Sequence, residues 1–138
     1  MLRGTIPPGG SVPLHAHADP ETFLMRSGDV EGLVMAPDGH RRVPLRAGEV
    51  FHVPGQAPHA WRNRSAAPAV MDVVTTARLA SVFREVGSPA GAGRAAEPPH
   101  AAAVRHFPEV SERYGYWNAT PEENARVGLA VASAGGAN

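Results

Sequence analysis

The sequence contains neither cysteine nor lysine, and all 13 of its basic residues are arginine. Without cysteine the chain has no disulfide, no thiolate nucleophile, no Cys-ligated zinc and no iron–sulfur cluster. Without lysine it has no Schiff-base chemistry, no lysine general base and no phosphate-binding P-loop. Chemistry that depends on a cysteine or a lysine side chain is therefore excluded.

The chain also has no excess of positive or negative charge, since 13 acidic residues balance the 13 arginines. A nucleic-acid or anionic-membrane partner would require a basic excess, so we expect neither partner. No stretch approaches the roughly 20 apolar residues that span a bilayer, and residues 1–15 contain no apolar run of signal-peptide length. We expect a cytoplasmic protein of one domain, because 138 residues lie close to the usual domain size of about 150.

Glycine and proline are abundant, with 15 and 14 residues respectively, and they separate short apolar runs. This pattern favours many short strands over long helices. Asp38 and Gly39 follow Pro37 between two such runs, which is typical of a hairpin turn. The predicted strands are Leu2–Ile6, Thr22–Arg26, Val30–Ala36, Arg42–Leu45, Val50–Val53, His59–Arg62 and Ala69–Thr75. The sequence therefore predicts an all-β sandwich or barrel over residues 1–76.

After Thr76 the pattern becomes helical, and residues 77–128 are predicted to be a C-terminal helical extension of the same domain. Leu79, Val82, Phe83 and Val86 have the spacing of one amphipathic helix. A second helical stretch is predicted from near His100 to Tyr114–Gly115, interrupted at Pro108. Thr120 to Glu123 match a capping box, which predicts a short helix to about Val127. Residues 88–99 have linker composition, and residues 129–138 are expected to form a mobile tail.

An aromatic cluster lies near the end of this extension. Tyr114, Tyr116 and Trp117 occur within four residues. We interpret them as the anchor that docks the C-terminal helices on the barrel or on a second subunit.

Three histidines and a glutamate are candidates for a metal-binding site. His15 and His17 are two residues apart, so on a strand they project to the same face. Glu21 opens the next strand, and His59 begins another after a proline-rich turn. Three imidazoles and one carboxylate suit a divalent transition metal, which could be iron, manganese, nickel, copper or zinc. The alternative is that these side chains are surface groups that lie near each other by chance.

The spacing of these residues resembles the two signature motifs of the cupin superfamily. The first motif is matched by Gly9-x5-His15-x-His17-x3-Glu21-x6-Gly28, and the second by Gly48-x5-Pro54-x-Gln56-x2-His59-x3-Asn63. Gln56 departs from the family, which usually has glycine at that position. The resemblance implies a double-stranded β-helix, or jelly roll, with His15, His17, Glu21 and His59 as metal ligands.

The N-terminal end is short for this family, because only eight residues precede Gly9. Small single-domain cupins usually have one or more strands before the first motif. We therefore expect that the start codon has been assigned late, or that the barrel is completed by a partner subunit or by the C-terminal segment. We also expect the protein to be a homodimer, in which a strand donated by the partner would cover an open sheet edge.

The strand pattern also places apolar side chains beside the four predicted ligands. Phe23 and Met25 share a face with Glu21, and Trp61 shares one with His59, so these three residues are candidates for a substrate pocket. The alternative is that they only pack in the core. A pocket of this composition suits a small apolar or aromatic molecule better than a sugar phosphate, which would need inward-facing arginines.

The resemblance implies a function but leaves alternatives. From residue 79 onward the chain resembles the appended helices of small bacterial monocupins related to the quercetin (flavonol) dioxygenases. In those enzymes the glutamate acts as base for a substrate hydroxyl, which makes Glu21 both a ligand and the expected catalytic residue. A non-oxidative isomerase or polyketide-type cyclase and a non-catalytic cupin that binds a small ligand are the alternatives.

Overall fold

The computed structural model describes residues 1–86 and 109–129 of the chain. The strands are β1 (Leu2–Ile6), β2 (Ser11–Ala16), β3 (Glu21–Ser27), β4 (Asp29–Ala36), β5 (Gly39–Arg46), β6 (Val50–Val53), β7 (His59–Arg62), β8 (Ala69–Thr75) and β9 (Trp117–Asn118). The helices are α1 (Ala77–Val86) and α2 (Pro121–Arg126), and residues 109–113 form a further helical segment. All seven predicted strands and the predicted helix after Thr76 are present.

The strands form two antiparallel sheets. One has four strands in the order β1-β8-β3-β6, and the other has five in the order β5-β4-β7-β2-β9. Apart from the β4–β5 hairpin, which closes at the predicted Asp38–Gly39 turn, successive strands alternate between the two sheets. This alternation makes the double-stranded β-helix, so the all-β jelly roll with short helices is confirmed.

The main core lies between the two sheets. On β3 the burial alternates, so Glu21, Phe23 and Met25 face inward. The five-stranded sheet contributes Val30, Leu45 and Trp61 to the same apolar cluster. The other buried members of this cluster are Ile6, Val53, Ala69, Met71 and Val73. The period-2 pattern of the sequence is therefore the pattern of burial against this core.

A second apolar cluster covers the outer face of the five-stranded sheet. Leu14, Leu33 and Ala60 point away from the barrel interior and pack against Leu129, which is only 2% exposed. The sequence places Leu129 at the start of the predicted tail, but in the structure it is a core residue of this outer cluster. The rest of that predicted tail, residues 130–138, lies outside the described residues.

Two arginines fasten the C-terminal segment to this outer face. Arg42 and Arg62 both donate to one carboxylate oxygen of Glu31, at 2.7 and 2.6 Å. Arg42 also donates to the carbonyl of Val127, and Arg62 donates to the carbonyl of Gly128 at 3.1 Å. The same ion-pair cluster therefore joins three strands of the sheet to the end of α2.

The C-terminal segment also completes the sheet next to β2. β9 pairs with β2, placing Asn118 opposite His15 and Trp117 opposite Ala16. Beyond β9, the Ala119 amide donates to the Leu14 carbonyl at 2.9 Å. Of the expected ways of completing the barrel, a strand from the C-terminal segment is therefore present within the chain.

A third apolar cluster joins α1 to the aromatic residues near the end of the chain. Leu79 and Val82 of α1 pack against Val110 and Tyr116. Tyr116 is buried and acts as the predicted anchor, with Tyr114 partly buried beside it. Trp117 is 42% exposed, so its assignment as an anchor on the barrel is wrong. The residue faces outward because neighbouring residues of a strand point to opposite sides.

Several sequence predictions fall on residues 87–108 and lie outside the described residues. These are the linker 88–99 and the helical start near His100 with its interruption at Pro108. The later part of that stretch is described: residues 109–113 are helical and end in a turn at Tyr114–Gly115. The capping box is confirmed, because Thr120 accepts from the Glu123 amide and Glu123 accepts from the Thr120 amide.

No helix within residues 1–86 or 109–129 has the length and apolar character needed to cross a membrane.

The first prediction concerns Asn124, which is 1% exposed. Its side chain accepts from the Leu14 amide at 2.9 Å and donates to the carbonyls of Ala119 and Thr120. Asn124→Ala leaves these buried groups without partners, so we expect the free energy of unfolding to fall by about 2–4 kcal/mol. Urea unfolding measures the loss. Glu122→Ala, an exposed change on the same helix, should stay within about 0.5 kcal/mol, and equal losses would contradict the role of Asn124.

Candidate metal centre

The two sheets bring the four predicted ligands together inside one end of the barrel. β2 and β7 pair so that His15 lies opposite His59, and His17 follows β2 directly. Glu21 is the first residue of β3 in the other sheet and faces inward. One ligand atom from each of the four residues lies within 4.8 Å of the others. The set is therefore one cluster, not a chance grouping on the surface.

Each histidine is oriented by a backbone carbonyl. Nδ1 of His15 lies 2.8 Å from the Pro13 oxygen, and Nδ1 of His59 lies 2.9 Å from the Ala57 oxygen. Nδ1 of His17 lies 2.8 Å from the Asp19 oxygen. A carbonyl oxygen only accepts hydrogen bonds, so each Nδ1 carries the proton and each Nε2 of the neutral ring presents a lone pair. This is the tautomer and orientation that a metal-binding histidine requires.

The lone pairs converge on the carboxylate of Glu21. Its Oε2 lies 3.0 Å from Nε2 of His59 and 3.2 Å from Nε2 of His17. Two neutral Nε2 atoms and a carboxylate oxygen repel one another unless a cation or a proton lies between them. Bonds of about 2.1 Å to a divalent metal place its ligand atoms roughly 3–4 Å apart, which is close to the 3.0 and 3.2 Å that separate Glu21 from the two imidazoles. The donor set therefore fits a divalent transition metal.

The local environment sets the charges of these groups. Desolvation within the barrel, with His59 close by, lowers the pKa of His15 to about 3. Burial opposes the charged form of Glu21, but its close contacts with the rings of His17 and His59 outweigh this effect and lower the pKa of the carboxyl to about 2. Burial also acts against the charge on His17, and its contact with Glu21 reverses the effect and raises its pKa. Glu21 is thus ionised and His15 neutral, as ligands must be.

The turn before β7 explains the departure at Gln56. Gln56 has φ of 68°, and it is the only residue other than glycine with a positive φ among the described residues. The left-handed conformation that glycine adopts freely is thus present, and glutamine adopts it at a cost of about 1 kcal/mol. The Gln56 amide donates to the His17 carbonyl at 2.7 Å. The turn geometry is therefore kept, and it ties the second motif to the first.

Asn63 joins the other ends of the same two motifs. Its amide donates to the Gly10 carbonyl at 2.8 Å, and its own carbonyl accepts from the Gly9 amide at 2.9 Å. Its side chain donates to the backbone carbonyls of Ile6 and Ala67. Asn63, which directly follows β7, is therefore bonded to the last residue of β1 and to the turn before β2.

Asp19 is a site residue that the spacing alone does not predict. Its carbonyl orients His17, while its buried carboxylate accepts from the Thr76 hydroxyl and from Arg78 at 3.1 Å. Both of these donors lie at the start of α1. Asp19 therefore connects the start of α1 to His17, a candidate metal ligand. This connection depends on the packing of α1 against the barrel and cannot be predicted from spacing.

Tyr116 is the second residue that sequence reasoning did not assign to the site. Its ring centroid lies 4.9 Å from that of His17. Burial, together with the nearby negative charge of Asp19, raises the pKa of its hydroxyl. The sequence signal for Tyr116 was only its aromatic character, which predicts packing and not a position beside the metal ligands.

The three predicted pocket residues lie in the main core. Phe23, Met25 and Trp61 are all buried, and Trp61 is in ring contact with Phe23 at 4.6 Å and with Phe51 at 5.6 Å. The indole Nε1 of Trp61 is buried and has no hydrogen-bond partner in the described part of the chain. The core assignment is thus observed, and the unpaired donor is a feature that pure packing does not explain.

Two further predictions follow from the centre. The first is that His59→Ala reduces the metal content of the purified protein from about one ion per chain to near zero, because it removes the most deeply placed imidazole. Elemental analysis of untagged protein measures this. His52→Ala is the matched control, since His52 is exposed on β6 and its side chain bonds to Thr22. Loss of metal in the control alone, or in neither variant, would contradict the ligand assignment.

The second concerns Gly55, where an added Cβ would lie 2.3 Å from the Ala18 carbonyl oxygen. Ala18 lies between His17 and Asp19, so Gly55→Ala should displace this loop and reduce the free energy of unfolding by about 2 kcal/mol or more. Gly4→Ala is the control, because its added Cβ would meet only Met71 at 3.8 Å. Urea unfolding compares the two, and an equal effect would show that the loop contact is unimportant.

Comparisons with known proteins agree with this geometry. A family model described as a cupin domain matches residues 2–76. No curated protein matches the chain. Among solved structures, Drosophila melanogaster CENP-C bound to CAL1 is similar at 14% identity and a TM-score of 0.50, over 54% of this chain and 62% of that chain. At this identity the likeness shows the fold alone.

Two other solved structures are similar at a TM-score of 0.48. An oxalate oxidase in complex with the substrate analogue glycolate has 27% identity, over 53% of this chain and 38% of that chain. A Cupin 2 conserved barrel domain protein from Salinispora arenicola CNS-205 has 24% identity, over 60% of this chain and 67% of that chain. Because the cupin model matches more than half of the residues and the strands form the corresponding barrel, the chain belongs to the cupin family.

Proposed function

We propose that this cupin is a metal-dependent dioxygenase acting on a small apolar or aromatic organic substrate. The observation that carries the proposal is the convergence of three oriented imidazoles and the Glu21 carboxylate inside a barrel with an aromatic core. A redox-active divalent metal held there would supply the one-electron chemistry that a ring- or bond-cleaving oxygenase needs. His15, His17, Glu21 and His59 would hold it.

Glu21 is the group that can move a proton. Its carboxylate is ionised and buried, and only its Oε2 atom has hydrogen-bond contacts with His17 and His59 among the described residues. The other oxygen, Oε1, is therefore available to accept the proton of a substrate hydroxyl. In this proposal Glu21 is both a ligand and the catalytic base, as the resemblance to flavonol dioxygenases implies.

The surroundings favour an apolar substrate with an oxygen acceptor. Phe23, Met25 and Trp61 lie on the inner faces of β3 and β7, on the same strands as Glu21 and His59. We infer that they line the substrate pocket next to the metal. The unpaired Nε1 of Trp61 is then a donor for a substrate oxygen, and that bond would satisfy an otherwise costly buried group.

The arginines nearest to these strands argue against a phosphate substrate. Arg62 is held by Glu31 on the outer face of the five-stranded sheet at 2.6 Å. Arg26 lies 3.4 Å from Asp72 on the outer face of the other sheet. Neither guanidinium faces the barrel interior, where a phosphate group would need one.

The test is oxygen uptake by the metal-loaded protein with flavonols and other enolisable aromatic compounds. We expect substrate-dependent oxygen consumption in the wild type. Turnover that does not depend on oxygen would favour a metal-dependent isomerase or cyclase. Binding without turnover of any of these compounds would favour a small-ligand-binding cupin, and both results would contradict the proposal.

Glu21→Gln examines the double role in the same assay. The amide keeps the shape and one oxygen ligand but cannot accept the proton, so we expect kcat to fall by about 10²–10⁴-fold. Metal content should change far less. Elemental analysis and oxygen uptake on the same sample separate the two effects, and loss of metal with no separate kinetic effect would show that Glu21 is a ligand only.

A further inference from the structure

The position of Tyr116 follows from the pairing of β9 with β2. Trp117 lies opposite Ala16, and Asn118 lies opposite His15. The same antiparallel register continued by one residue places Tyr116 opposite His17. Residues directly opposite one another point to the same face of a sheet. The ring contact at 4.9 Å between His17 and Tyr116 agrees with this placement. Tyr116 therefore lies on the face of the sheet that carries the metal ligands.

The hydroxyl of Tyr116 is buried and unpaired. The residue is 8% exposed, and its oxygen has no hydrogen-bond partner in the described part of the chain. Buried hydroxyls almost always find a partner, so an unpaired one beside a metal centre points to a ligand that completes it. The apolar neighbours behind the ring, Leu79, Val82 and Val110, offer no side-chain acceptor.

The ring is held in this position from several sides. The Tyr116 amide donates to the Ser111 carbonyl at 2.9 Å. Arg78 donates both to the Asp19 carboxylate and to the Tyr114 carbonyl, which links the loop after His17 to the segment before β9. These contacts within the chain fix the position of the phenol, as is required of a ligand-binding group.

We propose that the Tyr116 hydroxyl donates a hydrogen bond to an oxygen-bearing or anionic small ligand bound at the metal centre, so that the C-terminal segment supplies a binding residue to the cupin barrel. A phenol is protonated at neutral pH and is a natural donor to such a group. The inference rests on the metal centre of the proposed function, but it does not depend on the oxygen chemistry or on the identity of the substrate.

The experiment uses the full chain loaded with copper(II) and titrated with azide, a small anion whose binding to copper is seen by absorption. Copper(II) is chosen because nitrogen and oxygen sites bind it most tightly in the first-row series. In Tyr116→Phe, which removes only the hydroxyl, we expect copper content to be unchanged and the azide dissociation constant to rise by about 10-fold. In the control Tyr114→Phe we expect no change, because that hydroxyl lies 3.5 Å from Glu85 on the surface.

A second measurement tests the role of Tyr116 without replacing it, in case Tyr116→Phe does not fold. The chain has only two tyrosines, so in Tyr114→Phe the tyrosine absorption reports on Tyr116 alone. Azide should then change the tyrosine difference spectrum of copper-loaded Tyr114→Phe. The role of Tyr116 would be overturned if Tyr116→Phe takes up copper normally and binds azide as tightly as the wild type. It would also be overturned if copper-loaded Tyr114→Phe shows no tyrosine signal on addition of azide. Failure of the wild type to bind copper would instead overturn the metal centre and the proposed function.

Discussion

Strand β2 is paired along both of its edges, and the barrel, the metal centre and the C-terminal segment all depend on this pairing. On one side β7 brings His59 opposite His15. On the other side β9, Ala119 and Asn124 satisfy backbone groups of β2 that would otherwise form an open sheet edge. An open edge beside a metal centre would admit water and other chains. The chain covers this edge with its own C-terminal residues.

The four side chains of the candidate metal centre destabilise one another unless a cation lies between them. The carboxylate of Glu21 is buried among imidazoles whose Nδ1 protons are already donated to backbone carbonyls. Close contact between this carboxylate and the Nε2 lone pairs of neutral imidazoles costs free energy, and such local conflicts are typical of binding sites. A divalent cation bound to this set stabilises the folded state, since the preformed site does not exist in the unfolded chain. Binding of such a cation would therefore be coupled to folding at this end of the barrel.

The C-terminal segment contributes to both faces of the five-stranded sheet. On the outer face, Leu129 packs on the sheet, and the paired arginines bound to Glu31 fasten the end of α2. On the inner face, Tyr116 reaches the ring of His17, and Arg78 links the segment to Asp19. This short segment thus contacts the loop after His17, helix α1 and the edge of the five-stranded sheet at the same place.

Much of the fold and of the candidate site was predictable from sequence because the signals are local. The alternation in β3 and the glycine- and proline-rich turns reflect burial and backbone preferences within a few residues. The spacing of His15, His17 and Glu21, with His59 after the second turn, was enough to predict that these four side chains come together. The capping box of α2 is likewise a local exchange of hydrogen bonds.

Tertiary structure alone decided the rest. The pairing of β9 with β2, the burial of Leu129, and the roles of Asp19 and Tyr116 depend on contacts between residues far apart in the chain. A strand of two residues has no period to detect, and an aromatic residue near a chain end looks the same whether it packs or binds. The sequence determined which side chains could form a metal centre, because strand geometry converts spacing into a shared face. The residues that surround the centre are known only from the tertiary structure, because packing and not sequence distance determines which side chains lie beside it.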